Sequence, residues 1–201
     1  DKSQPTTRME IHNFQIAELD VQIIFRDTTV NGMHLLRSFE PFRVDKIAEK
    51  PFFRLTVDDS LTPIPKERRQ RIRAFDTGNG DTVVDRIDDG SYQYIIKDIE
   101  GNECSLLESN KDFSDCQCAL RGNHNMRTFG LNNALMLIFA FAGAHQRLLL
   151  IHASLVRNNN YGYAFIAKSG TGKSTQESMW LRHIPGSDHM HDDNPIVRLI
   201  D

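Results

Sequence analysis

Between Arg8 and Leu120 the chain consists of short apolar runs separated by polar turns. Apolar and polar residues alternate within most of these runs, which is the period of a half-buried β-strand. Turn sequences such as Asp88-Asp-Gly90 and Glu100-Gly-Asn102 stand between them. This spacing predicts an antiparallel sheet, built as a meander or a small barrel. The predicted strands cover residues 9–19, 21–26, 42–44, 52–57, 71–75, 82–86, 91–96 and 104–107.

The pattern changes after Arg121. The segment Gly122-Asn-His-Asn125 is polar, and we interpret it as a linker or hinge. Residues 131–146 are apolar on all sides, which predicts a buried helix. We assign this helix to the core of a second domain, and a helix that binds another protein is the alternative. The chain is therefore predicted to be α+β, with an antiparallel β-rich domain at 1–126 and an α/β domain at 127–201.

A candidate phosphate-binding loop lies in the second domain. The apolar run 163–167 leads into Ser169-Gly-Thr-Gly-Lys-Ser-Thr175, the order of strand, loop and helix start that is typical of a P-loop. Gly170 and Gly172 allow backbone N–H groups to turn toward a phosphate, Lys173 adds a positive charge, and Ser174 offers a hydroxyl to Mg²⁺. Ala167 replaces the first glycine of the usual pattern, which the backbone tolerates where φ is negative.

Further polar residues flank this loop. His152 lies in the apolar run 148–156, which a turn at 157–162 joins to the strand before the loop. Asp192 and Asp193 precede the apolar run 196–200, and a carboxylate facing a phosphate loop serves as a metal ligand or a base. The competing interpretations are a core histidine and an Asp-Asp-Asn-Pro turn.

Taken together, His152-Ala-Ser, Ser169-Gly-Thr-Gly-Lys-Ser-Thr175 and Asp192-Asp193 resemble the core of the superfamily of HPr kinase/phosphorylase and ATP-dependent phosphoenolpyruvate carboxykinase. The resemblance covers residues 148–197. The carboxykinases also use a lysine metal ligand upstream of the histidine, and residues 123–151 contain no lysine. The kinase side of the superfamily is therefore favoured.

The resemblance implies ATP and Mg²⁺ as cofactors, with Mn²⁺ as an alternative metal. Lys173 would contact the β and γ phosphates, and Ser174 and Asp193 would hold the metal. Asp192 would deprotonate the acceptor hydroxyl, and His152 would lie beside the metal or the transferring phosphoryl group as a further metal-site and catalytic residue. The nucleotide-binding residues would be Ser169, Gly170, Thr171, Gly172, Lys173, Ser174 and Thr175.

The expected function is that of a kinase that resembles HPr serine kinase and phosphorylates a hydroxyl of a protein, peptide or small molecule. The alternatives are a non-catalytic nucleotide- or phosphate-sensing regulator, whose β domain binds a partner, and a purely structural role. The superfamily places further strands and part of its acceptor pocket after the paired acids, whereas eight residues follow Asp193 here. We therefore expect activity in an intact, longer protein and little turnover from residues 1–201. A homo-oligomer is left open.

The composition narrows the partners and the location. A formal net charge of −3 gives no electrostatic reason to expect nucleic acid or an anionic membrane as a partner. The longest apolar stretch, 134–142, is about half of what a bilayer span requires. No signal peptide is recognisable at the start of the chain. These features predict a cytoplasmic protein that binds a nucleotide.

Two smaller groups of residues have competing interpretations. Cys104, Cys116 and Cys118 are an odd number of cysteines, and we expect reduced thiols on strands of the β domain. The alternative is a zinc site that includes His124, although C-x-C is an unusual spacing for zinc. The basic run at 66–73 is interpreted as a solvated loop that leads into a strand, and a patch for phosphate or an acidic partner is the alternative.

Overall fold

The fold of the chain is given by a computed structural model, which describes residues 8–76, 80–143, 148–150, 153–158, 161–166, 187–191 and 196–198. The chain divides into two compact units, Asp1–Ala142 and Gly143–Asp201. The first unit contains a mixed sheet of eight strands and one long helix. The coarse prediction of an α+β fold is therefore confirmed.

The order of strands in the large sheet is β1-β2-β3-β8-β7-β6-β5-β4. Strands β4 to β8 follow one another as antiparallel neighbours. The eight strands are β1 Glu10–Ile16, β2 Leu19–Phe25, β3 Phe53–Val57, β4 Arg69–Asp76, β5 Gly80–Ile87, β6 Tyr92–Asp98, β7 Glu103–Ser109 and β8 Asp115–Leu120.

The prediction of a purely antiparallel sheet is wrong at β3, which is parallel to both β2 and β8. A parallel pair requires a connection long enough to return the chain to the same end of the sheet. Residues 26–52 provide this connection and include the short 3₁₀ helices Met33–Leu35 and Arg37–Phe42. The strand predicted at 42–44 is consequently reduced to a single bridge between Phe14 and Arg43.

Alternation explains why β2 and β3 form the centre of the core. Val21, Ile23 and Phe25 are fully buried on β2, and Phe53, Leu55 and Val57 are fully buried on β3, whereas the residues between them are only partly buried. Side chains that alternate along a strand lie on opposite faces of the sheet. One face of these strands therefore supplies six fully buried apolar side chains to the core of the unit.

The three cysteines lie on strands, as predicted. Cys104 is on β7 and Cys116 and Cys118 are on β8, and all three are buried free thiols. Burial raises the pKa of the Cys118 thiol to about 12, although a hydrogen bond with Ser105 opposes the shift. Such thiols are unreactive near neutral pH. No group of three or more His, Cys, Asp or Glu side chains in the described ranges is arranged to hold a metal ion.

The helix α1, His124–Gly143, begins where the sequence pattern suggested a linker. Asn123 precedes its first residue, and its Oδ1 accepts the backbone N–H of Met126 at 3.0 Å, which is the geometry of an N-cap. Gly122 has a φ of 87°, which favours glycine at the turn into the helix. The polar Gly/Asn segment is therefore a helix start and not a hinge.

Helix α1 packs against the eight-stranded sheet. The Phe139 ring meets the Phe53 ring edge-on, with centroids 4.9 Å apart, and Phe141 stacks on Phe113 at 5.3 Å. A Cβ built on Gly130 would lie 2.6 Å from the carbonyl oxygen of Cys104. Because of these contacts the first unit extends to Ala142, whereas the boundary predicted from the sequence follows Met126 and leaves the helix in the second domain.

In the part of the chain that the structure covers, no helix combines the length and the apolar character that crossing a membrane requires.

The basic run at 66–73 leads into a strand, as the preferred interpretation expected. It forms the 3₁₀ helix Lys66–Arg68 and the start of β4, which is an edge strand of the sheet. Asp85 on β5 accepts hydrogen bonds from Arg69 at 2.7 Å and from Arg71 at 2.8 Å, while its side chain is only 3% exposed. Burial alone would raise the pKa of Asp85, but the two guanidinium groups outweigh burial and lower the pKa below 3.8. The buried carboxylate thus holds the edge strand to its neighbour.

We expect Gly130→Ala to destabilise the first unit by about 1–3 kcal/mol, the usual cost of overpacking. Without the close approach to Cys104, the same change would stabilise the helix by about 1 kcal/mol, because alanine is the better helix former. Urea unfolding shows whether Gly130→Ala lowers or raises the free energy of unfolding. The exchange Ala140→Gly, at an exposed position of α1, measures the propensity difference alone, and a more stable Gly130→Ala protein would contradict the close packing.

We expect Asp85→Asn to cost about 2–4 kcal/mol near neutral pH, because it leaves the mostly buried Arg69 without its carboxylate. Folding lowers the pKa of Asp85 below its ordinary value of 3.8. The stabilisation that its ion pairs provide is therefore complete above about pH 3.8, and it is lost as the pH falls through the pKa of the folded state. Urea unfolding across this range should show the difference from wild type shrinking in acid. Asp88→Asn is the control, since its ion pair with Arg68 is exposed and should matter little. Equal effects of the two changes would disprove the role of Asp85.

Candidate functional site

The second unit contains a three-stranded sheet with β10 Ala153–Asn158 at its centre. β10 pairs antiparallel with β11, Tyr161–Ile166, on one side and with β12, Ser187–His191, on the other. The sequence predicted two strands joined at 157–162, and β10 and β11 do pair antiparallel, with Asn158 opposite Tyr161. A separate two-stranded sheet joins β9, Leu148–Leu150, to β13, Ile196–Arg198. The apolar run 148–156 is therefore divided between two strands in different sheets, and is not one strand.

Every predicted site residue of this unit lies outside the described residues. These are His152, the nucleotide-binding residues Ser169, Gly170, Thr171, Gly172, Lys173, Ser174 and Thr175, and the carboxylates Asp192 and Asp193. Their predicted roles in catalysis, nucleotide binding and metal binding remain predictions. What the structure does give is the position of the strand ends to which these residues are joined.

Three strand ends meet at one end of the three-stranded sheet. β10 begins at Ala153, directly after His152, and β11 ends at Ile166, three residues before Ser169, the first of the predicted nucleotide-binding residues. β12 ends at His191, directly before Asp192. Ala153 pairs with Ile166, and Leu155 pairs with His191. Because β10 is antiparallel to both neighbours, its first residue and the last residues of β11 and β12 lie at the same edge of the sheet.

The pairing of β10 with β12 is irregular close to this edge. Leu155 pairs with His191 and Val156 pairs with His189, so one extra residue, Met190, is accommodated on β12. A bulge of this kind bends a strand locally, and bulges are common beside active sites. The bulge at Met190 lies two residues before Asp192, the first of the two predicted acidic site residues.

The strand β12 was not predicted from the sequence. Four of its five residues are polar (Ser187, Asp188, His189 and His191), and such a segment has little of the β-branched and aromatic character of a typical strand. The alternation of histidine with Met190 was the one available signal. The sequence therefore does not predict that the start of β10 and the ends of β11 and β12 lie at one edge of a sheet, because β12 is needed for this arrangement.

Comparison with known proteins adds no assignment to this arrangement. No protein-family model matches the chain, and no curated protein is significantly similar to it in sequence. The likeness of residues 148–197 to a superfamily therefore depends on the motifs, on their order, and on the strand ends that join them.

Proposed function

We propose that the intact protein is a cytoplasmic, ATP- and Mg²⁺-dependent kinase, similar to HPr kinase, that phosphorylates a hydroxyl of a protein, peptide or small molecule. One observation carries the proposal. The strand ends that adjoin His152, the predicted phosphate loop and Asp192 lie together at one edge of a three-stranded sheet. The strand ends that adjoin these three segments are thereby neighbours in one sheet, which supports the proposal.

This common edge favours the catalytic interpretation over the simpler ones. A core histidine, a chance Gly/Ser/Lys loop and an Asp-Asp-Asn-Pro turn have no physical reason to adjoin the same strand edge. A phosphoryl-transfer site does have such a reason, because phosphate, metal ligand and base must lie within a few ångströms of one another. The grouping of β10, β11 and β12 supports a single site built from all three segments.

The proposed chemistry depends mainly on positioning and on neutralisation of charge. Backbone N–H groups at 169–175 and the ammonium of Lys173 would hold the phosphates of ATP. Ser174 and Asp193 would hold the divalent metal, with His152 beside it, and the metal would neutralise charge on the phosphate oxygens. Asp192 would take the proton of the acceptor hydroxyl. The acceptor oxygen would then bond to the γ phosphorus as the bond to the bridging oxygen of ADP breaks.

A nucleotide-sensing regulator is the second candidate, and Ala167 is the residue that favours it, since this position is a glycine in the usual loop. A sensor would bind Mg-ATP tightly and neither hydrolyse it nor transfer its phosphate, while the first unit would bind a partner. Single-turnover measurements with radiolabelled ATP on the intact protein distinguish the two functions.

For the kinase, we expect Lys173→Ala to lower phosphoryl transfer by about 10²–10³-fold or more, since it removes a fixed positive charge from the reacting phosphates. Calorimetry of ATP binding and a transfer assay on the intact protein measure the loss. Lys168→Ala is the matched control, because it removes a lysine that immediately precedes the predicted phosphate-binding residues and has no assigned role. Full activity in Lys173→Ala would refute the mechanism.

Substitutions of the adjacent carboxylates Asp192 and Asp193 are expected to have different effects. Asp192→Asn should leave Mg-ATP binding intact and slow transfer by about 10²–10⁴-fold, the usual contribution of a general base. Asp193→Asn should instead weaken ATP binding when Mg²⁺ is present and raise the Mg²⁺ concentration needed for half-maximal activity. Titrations with Mg²⁺ at fixed ATP separate the two effects, and identical behaviour of both variants would contradict the separate roles.

A further inference from the structure

A cavity of about 550 Å³ opens in the first unit, at the end of the sheet where the β5–β6 and β7–β8 loops lie. This volume is within the range of small-molecule sites. Its wall contains three carboxylates and, among the described residues, a single lysine: Asp89, Glu108, Asp115 and Lys111. Ile64 and Ile87 add apolar surface. None of these residues belongs to the predicted kinase site.

The cavity borders a polar row that crosses four strands of the sheet. Asp85, Gln93, Glu108 and Gln117 are direct partners in the register of β5, β6, β7 and β8. They lie on the face opposite Tyr94, whose ring packs against Phe141 of α1. Polar side chains thus form a continuous line on the sheet face away from the helix, and the row reaches the cavity at Glu108 and Gln117.

Two carboxylates of the polar row have very different surroundings. Asp85 accepts hydrogen bonds from two guanidinium groups, those of Arg69 and Arg71. The buried Oε1 atom of Glu108 has no hydrogen-bond partner in the described part of the protein. Burial raises the pKa of the Glu108 carboxyl, since nothing compensates the loss of water around its charge. Glu108 therefore lacks the cation that Asp85 possesses.

Neighbouring side chains also have unused hydrogen-bonding atoms. Gln93 is 1% exposed; its Oε1 accepts the backbone N–H of Ile64 at 2.8 Å, but its Nε2 has no partner within the described ranges. Ser109 also lines the cavity and its Oγ is unpaired in the described structure, but its position next to Glu108 on β7 puts it on the opposite face of the sheet. Buried polar atoms in native proteins are nearly always paired. Glu108 lines the cavity and Gln93 is its register partner, so the two unpaired side chains lie on one face of the sheet, and a ligand or an ordered water completes the pairing of Glu108.

The charge of the wall selects the class of ligand. Hydrogen bonds from Ser91 lower the pKa of Asp89, and the guanidinium of Arg68 and then the ammonium of Lys111 add smaller effects in the same direction. With three carboxylates and one lysine among its described residues, the wall is negative, which disfavours an anion. A guanidinium or ammonium group supplies several N–H donors to carboxylate acceptors. Ile64 and Ile87 suit the aliphatic chain that carries such a group.

We propose that this cavity binds an organic cation, a guanidinium or primary ammonium group on a short aliphatic chain, and that Glu108 is its principal carboxylate partner. The bound group takes the place at Glu108 that Arg69 and Arg71 take at Asp85. The cation can belong to a free small molecule or to a basic side chain of a peptide, and both present the same chemistry to the cavity.

Calorimetric titration of the chain with n-butylguanidinium and n-pentylammonium tests the proposal, with the uncharged n-butylurea as a ligand of similar shape. We expect both cations to bind and the urea not to bind. Glu108→Gln should weaken binding by about tenfold or more, as expected when a charge-assisted hydrogen bond is lost. Glu103→Gln is the matched control, because Glu103 is an exposed residue at the other end of β7.

Asp115→Asn provides a second variant at an exposed position that the fold tolerates, and it should weaken binding several-fold. A comparison of acetyl-Gly-Arg-Gly-amide with n-butylguanidinium shows whether a peptide or a free amine is the better source of the cation. The proposal is overturned if neither cation binds at millimolar concentration, or if Glu108→Gln and Glu103→Gln bind equally well.

Discussion

The close approach of α1 to β7 is the contact on which the architecture of the first unit depends. No side chain separates Gly130 from the backbone carbonyl of Cys104, so the helix lies directly on the sheet. At this distance Phe139 reaches Phe53 on the central strand, and Phe141 reaches the loop residue Phe113. The apolar face of the sheet and the apolar helix thereby bury each other. Burial of apolar surface is the main source of stability for such a unit.

Hydrogen bonds from the first turns of α1 hold the loops that follow β2 and β3. The Nη1 atom of Arg127 donates hydrogen bonds to Asp59 at 2.7 Å and to Asn31 at 3.0 Å. Asp59 in turn accepts the backbone N–H of Leu120 at 2.9 Å, at the end of β8. One arginine in the first turns of α1 thus ties together the loops that follow β2 and β3. Because the helix occupies one face of the sheet, the polar row can lie only on the other face.

The sequence predicts much of this fold, and its failures have physical causes. Alternation reveals which face a residue occupies but not the direction of the neighbouring strand, so β3 was expected to be antiparallel. The turn between β1 and β2 uses Ala17 and Glu18 at positive φ, without the glycine or asparagine that usually marks such a turn. Gly122 and Asn123 have the composition of a linker, and only the hydrogen bond to Met126 shows that they begin a helix.

The predicted kinase site and the cavity at Glu108 also differ in how far the sequence predicts them. The prediction of a phosphate loop rests on residue types alone, whereas the grouping of strand ends depends on β12, which is polar and was not predicted. Glu108 has no sequence signal, because a single glutamate in a strand has the same pattern as a residue on a solvated face. Its place in the wall of a cavity, together with Ile64, Ile87 and Asp89, depends on parts of the chain that are distant in sequence.

The edge strand β4 has a consequence for the behaviour of the protein in solution. The outer backbone groups of an edge strand can pair with a second copy and begin aggregation. Arg69, Arg71 and Arg73 recur along β4, so two such strands that approach each other bring rows of like charge together. Asp85 lies on the inner neighbour and holds two of these arginines in place. Asp85 carries one negative charge against the two positive charges of Arg69 and Arg71, so the row along β4 keeps a net positive charge that disfavours pairing with a second copy.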